Sequence, residues 1–213
     1  EMTSSLVGSE MCIRDSYGTI QSMFPEECFL SDVLISPDID HLDFCGVRFG
    51  LLPLPGHSAG QMGFITPDGT AYLADCLLGP EQLQRFKLPT IMHIARDLTV
   101  MESLRSLRCP AYVLAHKTSV TELGPVIDAN IAAIHDKGRR LLSCLTDGMT
   151  ADQWLYAYCR QEGIHTHDPF RISVTQRNFL HLSGWLVDKG QVALSHDLCV
   201  SCLLYTSDAA DDK

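Results

Sequence analysis

The sequence predicts an α/β fold followed by a small helical region. Three observations predict it. Short apolar runs broken by Pro, Gly and Asp fill residues 17–118. An Asp68-Gly69 pair separates two of those runs. Beyond residue 119, Val126, Ile127, Ile131, Ile134, Leu141, Leu142 and Leu145 recur at helical spacing. The chain has 213 residues, 46% of them hydrophobic, which is enough for one sizeable core or a core with a small appended module.

Taken in order, residues 47–54 read as a strand, and Pro55-Gly56-His57-Ser58-Ala59-Gly60 reads as a loop. Residues 62–66 and 71–74 form a hairpin around Asp68-Gly69. A two-residue turn there pairs Thr70 with Pro67 and, counting outward, Asp75 with Met62. Asp97 caps a helix carrying Leu98, Met101, Leu104 and Leu107. Residues 111–115 form a short buried strand that ends at His116. The helical pattern of 126–145 contains Gly138, which can bend or split it. Thr150-x-x-Gln153 is a capping box ahead of a helix whose apolar side holds Trp154, Leu155 and Tyr158. A third helix spans 174–188 and stops at Gly190, and residues 191–194 suit a short strand.

The two ends read differently. Residues 4–16 and the tail from Cys202 to Asp212 resemble translated sequencing-adapter sequence and show neither a helical nor a strand period. The expected organisation is therefore a non-native segment at 1–16, a partial catalytic-type domain at 17–145, a small helical region at 146–200 and a non-native tail at 201–213. Adapter on both sides implies a native frame cut on both sides.

Composition narrows the function. A formal charge of −10, from 16 basic and 26 acidic residues, repels phosphate backbones and argues against general nucleic-acid binding. No stretch approaches 18 uninterrupted apolar residues, so no membrane span is expected. Nine cysteines, an odd number with no second C-x-x-C to pair with that at Cys199 and Cys202, suit reduced thiols and a cytoplasmic location.

The chemistry-bearing residues fall at strand ends. His57 lies in the loop after one strand, Asp75 follows the hairpin's second strand, and His116 follows the strand at 111–115. Imidazole nitrogen and carboxylate oxygen together suit Zn²⁺, and a carboxylate can bridge two ions. Leu54-Pro-Gly-His57-Ser-Ala-Gly60-x-x-Gly63, Tyr72-Leu-Ala-Asp75-Cys-Leu-Leu78 and Val113-Leu-Ala-His116 follow one another with 18 residues from His57 to Asp75 and 41 from Asp75 to His116. In order and spacing these motifs resemble the metallo-β-lactamase superfamily, over about residues 35–195.

That resemblance implies the second half of an αβ/βα sandwich, followed by a winged-helix-like region at 146–200. It implies two Zn²⁺ ions in the full-length parent, with His57 on one, His116 on the second and Asp75, the catalytic residue, bridging both. The function it implies is zinc-dependent hydrolysis of a small-molecule ester, thioester, lactone or lactam, with homo-oligomerisation left open. The family's H-x-H-x-D-H motif is absent from residues 17–56. The first half of the sandwich is therefore expected to be missing, the fragment to be inactive, and an apolar sheet face around 47–54 and 64–73 to lie open. Two positions depart from the family pattern: Ala74 and Lys117 stand where Gly is usual, and Lys117 is expected to face solvent. The alternative function is a non-catalytic binding module whose helical tail resembles a winged helix.

Other motifs read more simply. His165-Thr-His167-Asp168 lies in a connector ahead of Pro169, and Asp38-x-Asp40-His41 suits a turn before a strand. His93 reads as a pocket wall or a packed residue, Cys76 as a structural thiol, and Trp154 and Trp185 as core.

Overall fold

The computed structural model describes residues 35–36, 38–195 and 199–202. The adapter-like segment 1–16 lies outside them, as does the tail beyond Cys202. Two compact units divide the described chain, one of residues up to 79 together with 95–128, the other of residues 80–94 together with those from 129 onward.

The first unit is built on a six-stranded sheet. Its strands are β1 (His41–Phe44), β2 (Val47–Pro53), β3 (Met62–Ile65), β4 (Ala71–Tyr72), β5 (Tyr112–Leu114) and β6 (Thr118–Val120), adjacent in that order. All neighbours are antiparallel except β4 and β5, which run parallel. A parallel pair needs a crossover, which residues 73–111 supply. The strand expected at 47–54 is β2, and β1 precedes it in a hairpin turned by Cys45 (φ 52°) and Gly46 (φ 77°). Positive φ at both central residues is the tight-turn geometry that matches strand twist.

The β3–β4 hairpin forms as expected, but its register is shifted by one residue. Phe64 pairs with Tyr72 and Ile65 with Ala71, so Pro67, Asp68 and Gly69 make a three-residue loop in place of a two-residue turn. The local chemistry explains the shift. The Gly69 amide donates to the Thr66 carbonyl (2.8 Å), and Gly69 takes φ 85°. The Asp68 carboxylate accepts from the Thr66 and Thr70 hydroxyls. An Asp that ties both flanking residues, followed by a left-handed Gly, is the three-residue solution. β4 ends at Tyr72, so Asp75 does not pair with Met62. It lies in a 3₁₀ turn, Ala74–Cys76.

One sheet face is buried and the other is half-buried. Gly63, Ala71, Leu73, Tyr112 and Leu114 are buried, and with Leu54, Met101, Leu104, Leu123 and Ile127 they form this unit's core. The opposite face carries the cross-strand row Leu51, Phe64, Tyr72 and Val113, none of which is fully buried. Phe64 stacks on Tyr72 (centroids 4.6 Å apart, planes 8° apart) and meets Phe49 edge-on at 6.0 Å.

Five helices complete the described chain: α1 (Pro80–Arg85), α2 (Ile94–Ser103), α3 (Gly124–Leu142), α4 (Ala151–Glu162) and α5 (Pro169–Asp188). α2 begins at Ile94, so Asp97 lies inside its first turn and does not cap it. Asp97 shares the helix face of Met101 and Leu104 and is fully buried.

In the second unit α3 runs through Gly138 unbroken. A Cβ there would lie 3.1 Å from the Trp185 ring, so the glycine admits close ring contact and does not split the helix. α4 carries the expected capping box at Thr150 and Gln153. α5 starts five residues before the expected Val174, because Asp168 caps it through the Phe170 amide and Pro169 occupies its first position. Trp154, Tyr158, Phe179, Leu182, Trp185 and Leu186 form the core, and the Trp154 indole donates to the Leu141 carbonyl (2.8 Å). Segment 80–94 is fastened to these helices by Lys137 to the Leu83 carbonyl, Tyr158 to the Lys87 carbonyl and Asn178 to the Thr90 hydroxyl. Three short strands, β7 (Met149–Thr150), β8 (Val192–Leu194) and β9 (Cys199–Cys202), form an antiparallel sheet in the order β7–β9–β8. β9 thus continues through Ser201 and Cys202, two residues past the boundary drawn from sequence.

Candidate functional site

All three candidate metal ligands lie in the first unit. The parallel β4–β5 ladder positions two of them. Ala71 faces Tyr112 and Tyr72 faces Val113, an offset of 41 residues. The ladder continues beyond the strands, with the Leu73 amide donating to the Val113 carbonyl (2.9 Å) and the Ala115 amide to the Ala74 carbonyl (3.0 Å). The same offset places Asp75 beside His116. His116 Nε2 lies 3.3 Å from Asp75 Oδ1, with the Asp75 side chain mostly covered and the His116 ring about half exposed.

The backbone around this pair is unusual. Ala74 takes φ 46°, His116 φ 61° and Lys117 φ 70°. Only one other non-glycine among the described residues, Cys45, has positive φ. A left-handed L-residue costs about 1–2 kcal/mol, and such strain clusters at functional sites. Lys117 is exposed, as expected. At Ala74 and Lys117 a glycine would adopt this conformation without a Cβ penalty.

His57 arrives on a separate loop. The Leu54 amide donates to the Gln61 carbonyl (2.8 Å) and closes it, and inside it the Gly56 amide donates to the Ser58 carbonyl (3.1 Å). His57 is partly exposed. Among the described residues no group of three His, Cys, Asp or Glu side chains is close enough to hold a metal ion. The structure therefore pairs Asp75 with His116, and His57 does not complete a trio with them.

Asp97, expected from the sequence as a helix cap, has an environment that the cap reading did not foresee. Its carboxyl group is fully buried, and neither oxygen has a hydrogen-bond partner. Burial pushes its pKa up to about 7, opposed by the nearby His57 backbone N–H, which faces the carboxyl group without reaching hydrogen-bond geometry. Cys76, next to Asp75, is also buried; its thiol pKa is raised first by burial and then by the Asp97 charge. Helical spacing carried the signal. Asp97 stands four residues before Met101 and seven before Leu104, on the stripe that faces the core, where an acid is out of place.

The remaining His-containing motifs lie apart from the pair. Asp40 and His41 form an exposed hydrogen-bonded pair (2.6 Å) at the start of β1. His165 and His167 are exposed in the connector before α5. His93 is exposed as well, and not packed as expected.

Comparison with solved structures gives two likenesses of weight. A metallo-β-lactamase family protein from Thermus thermophilus superposes with a TM-score of 0.62 at 14% identity, over 91% of this chain and 66% of that one. A β-lactamase domain protein from Burkholderia ambifaria gives 0.59 at 15% identity, over 92% of this chain and 59% of that one. The chain thus spans less than two thirds of the length of either. No protein-family model matches the sequence, and no curated protein matches it.

Proposed function

We propose that this chain, whose fold is that of metallo-β-lactamase family proteins, supplies part of the zinc site of a hydrolase acting on a small-molecule ester, thioester, lactone or lactam. The observation that carries the reading is the Asp75–His116 pair, set 3.3 Å apart by the β4–β5 ladder and bracketed by left-handed residues. Its imidazole nitrogen and carboxylate oxygen suit zinc, but a catalytic zinc takes about three protein ligands. Two paired donors are a partial fit. In this reading His57, from the neighbouring loop, would join Asp75 on one ion and His116 would join it on the other, and the remaining ligands come from chain outside the described residues. Bound zinc supplies Lewis acidity toward a carbonyl and an acidic water near neutral pH. The protein's own contribution is orientation: Asp75 is held by its turn and faces the imidazole of His116.

Residues 146–200 are proposed as a winged-helix-like region. Their order of β7, α4, α5, β8 and β9, with the sheet order β7–β9–β8, supports that reading. The excess of acidic residues supports a small-molecule substrate over nucleic acid. No described helix is long and apolar enough to cross a membrane.

The test compares this chain with a longer parent that carries H-x-H-x-D-H in frame. The parent is expected to hydrolyse a panel of esters, thioesters, lactones and lactams in a chelator-sensitive manner, and Asp75→Ala to abolish turnover. The 213-residue chain alone is expected to show none. Zinc-stimulated turnover by the short chain, or full activity of the Asp75→Ala parent, overturns the assignment.

A further inference from the structure

A buried carboxyl group with no partner is costly, and proteins rarely keep one without a use. Asp97 is such a group, fully buried with both oxygens unpaired. Its surroundings narrow what it does. A Cβ built on Gly56 would fall 2.5 Å from Asp97 Cβ and 2.6 Å from Asp97 Cγ. The Asp97 side chain thus occupies the space that any side chain at position 56 would need. The next backbone N–H, that of His57, faces the carboxyl group. On its other side the charge of Asp97 reaches Cys76, which follows Asp75 directly. One side chain from α2 therefore lies under the loop that carries His57 and close to the turn that carries Asp75.

We propose that Asp97 is a positioning residue that fixes the Gly56–His57 turn, its carboxyl group facing the His57 backbone N–H and its bulk seating against the bare Cα of Gly56. It touches no reacting atom. It acts through the backbone of His57, setting the direction from which that imidazole leaves the loop. The inference rests on the reading of His57 as a metal ligand only for its consequence. The clamp itself is a statement about the loop. Gly56 is explained at the same time, because a larger residue would displace the carboxyl group or the loop.

The test uses the full chain at low micromolar concentration, with Asp97→Asn, Asp97→Leu and Gly56→Ala. Asn keeps an acceptor of the same reach, whereas Leu keeps the bulk and loses the acceptor. Residue-resolved amide exchange is followed at His57 and, as a reference in the same unit, at Leu73 and Leu114. Losing the carboxyl group that faces it is expected to speed His57 exchange by about tenfold or more in Asp97→Leu, with Leu73 and Leu114 unchanged. Asp97→Asn is expected to stay near wild type. Gly56→Ala, which pushes from the opposite side, is expected to reproduce the Leu pattern and serves if the Leu variant does not fold. Zinc binding is measured in parallel by chelator competition, and Asp97→Leu is expected to weaken it by about 10–100-fold, as loss of a supporting partner does. His57 exchange in Asp97→Leu equal to wild type overturns the clamp, as does equal acceleration at all three amides in every variant. Zinc that binds with an affinity indifferent to Asp97→Leu overturns the positioning role and leaves the metal reading standing. The exchange pattern without zinc binding by the 213-residue chain upholds the clamp, and the metal reading then rests on the longer parent that supplies the remaining ligands.

Discussion

Asp75 Oδ1 and His116 Nε2 stand 3.3 Å apart although 41 residues separate them in the chain, and the parallel pairing of β4 with β5 alone accounts for the meeting. A pair held this way has its geometry set before any ligand arrives. Zinc binding to the chain should therefore depend on both residues. Asp75→Ala and His116→Ala are each expected to lower affinity by at least about 10–100-fold, read by competition with a chromophoric chelator. Unchanged affinity in both variants would place any bound zinc elsewhere.

The left-handed residues offer a stability test. Ala74→Gly and Lys117→Gly relieve a Cβ clash of about 1–2 kcal/mol each and give back about 0.4–1 kcal/mol through a more flexible unfolded chain. Each is expected to raise the denaturant midpoint modestly. Ser119→Gly, at an exposed position within a strand, should lower it. A fall at position 74 or 117 would mean that the turn is not strained there.

The row Leu51, Phe64, Tyr72 and Val113 leaves apolar surface uncovered on one sheet face. Contiguous patches beyond a few hundred Å² are uncommon on soluble monomers and promote association. The chain is expected to self-associate with rising concentration and to bind hydrophobic dyes, and Leu51→Lys with Phe64→Lys to reduce both. A sharp monomeric sedimentation boundary for the wild-type chain at tens of micromolar would contradict this.

Thiol chemistry separates two cysteines. Cys45 is exposed in the β1–β2 turn, whereas Cys76 is buried, with its pKa raised by burial and by Asp97. The thiolate is the reactive form. Under native conditions an alkylating reagent should modify Cys45 readily and Cys76 only after denaturant is added, as read by peptide mass mapping. Rapid native labelling of Cys76 would mean that the turn carrying Asp75 opens easily.

How far the sequence spoke for itself depended on the kind of signal. Helix ends with side-chain caps were legible where the cap was recognised, as at Thr150 with Gln153, and displaced where it was passed over, as at Asp168-Pro169. The hairpin was legible from Asp-Gly, but its register was not. That depended on whether Asp68 would bind both flanking threonines, a local contest that composition does not decide. Asp75 and His116 were legible as strand-end residues within a familiar motif. Asp97 was not, because an Asp near a helix start suggests a cap, and only the face it shares with Met101 and Leu104 betrays its burial. Gly138 misled for the opposite reason: its role is set by a ring from a distant helix, Trp185, which no local pattern reveals.

The ladder between β4 and β5 also frees the length of what joins them. Because hydrogen bonds between two strand ends bring Asp75 to His116, the number of residues between the strands is not itself under constraint. An insertion in the exposed part of the crossover, for instance at Arg108, leaves the two side chains facing each other. One residue added inside β4 or β5 turns every later side chain of that strand to the other face and parts them. Tolerance to length change should therefore be high in the exposed stretches of residues 76–111, such as that around Arg108, and close to nil within a handful of positions at either end, so that the pair can survive remodelling of those stretches.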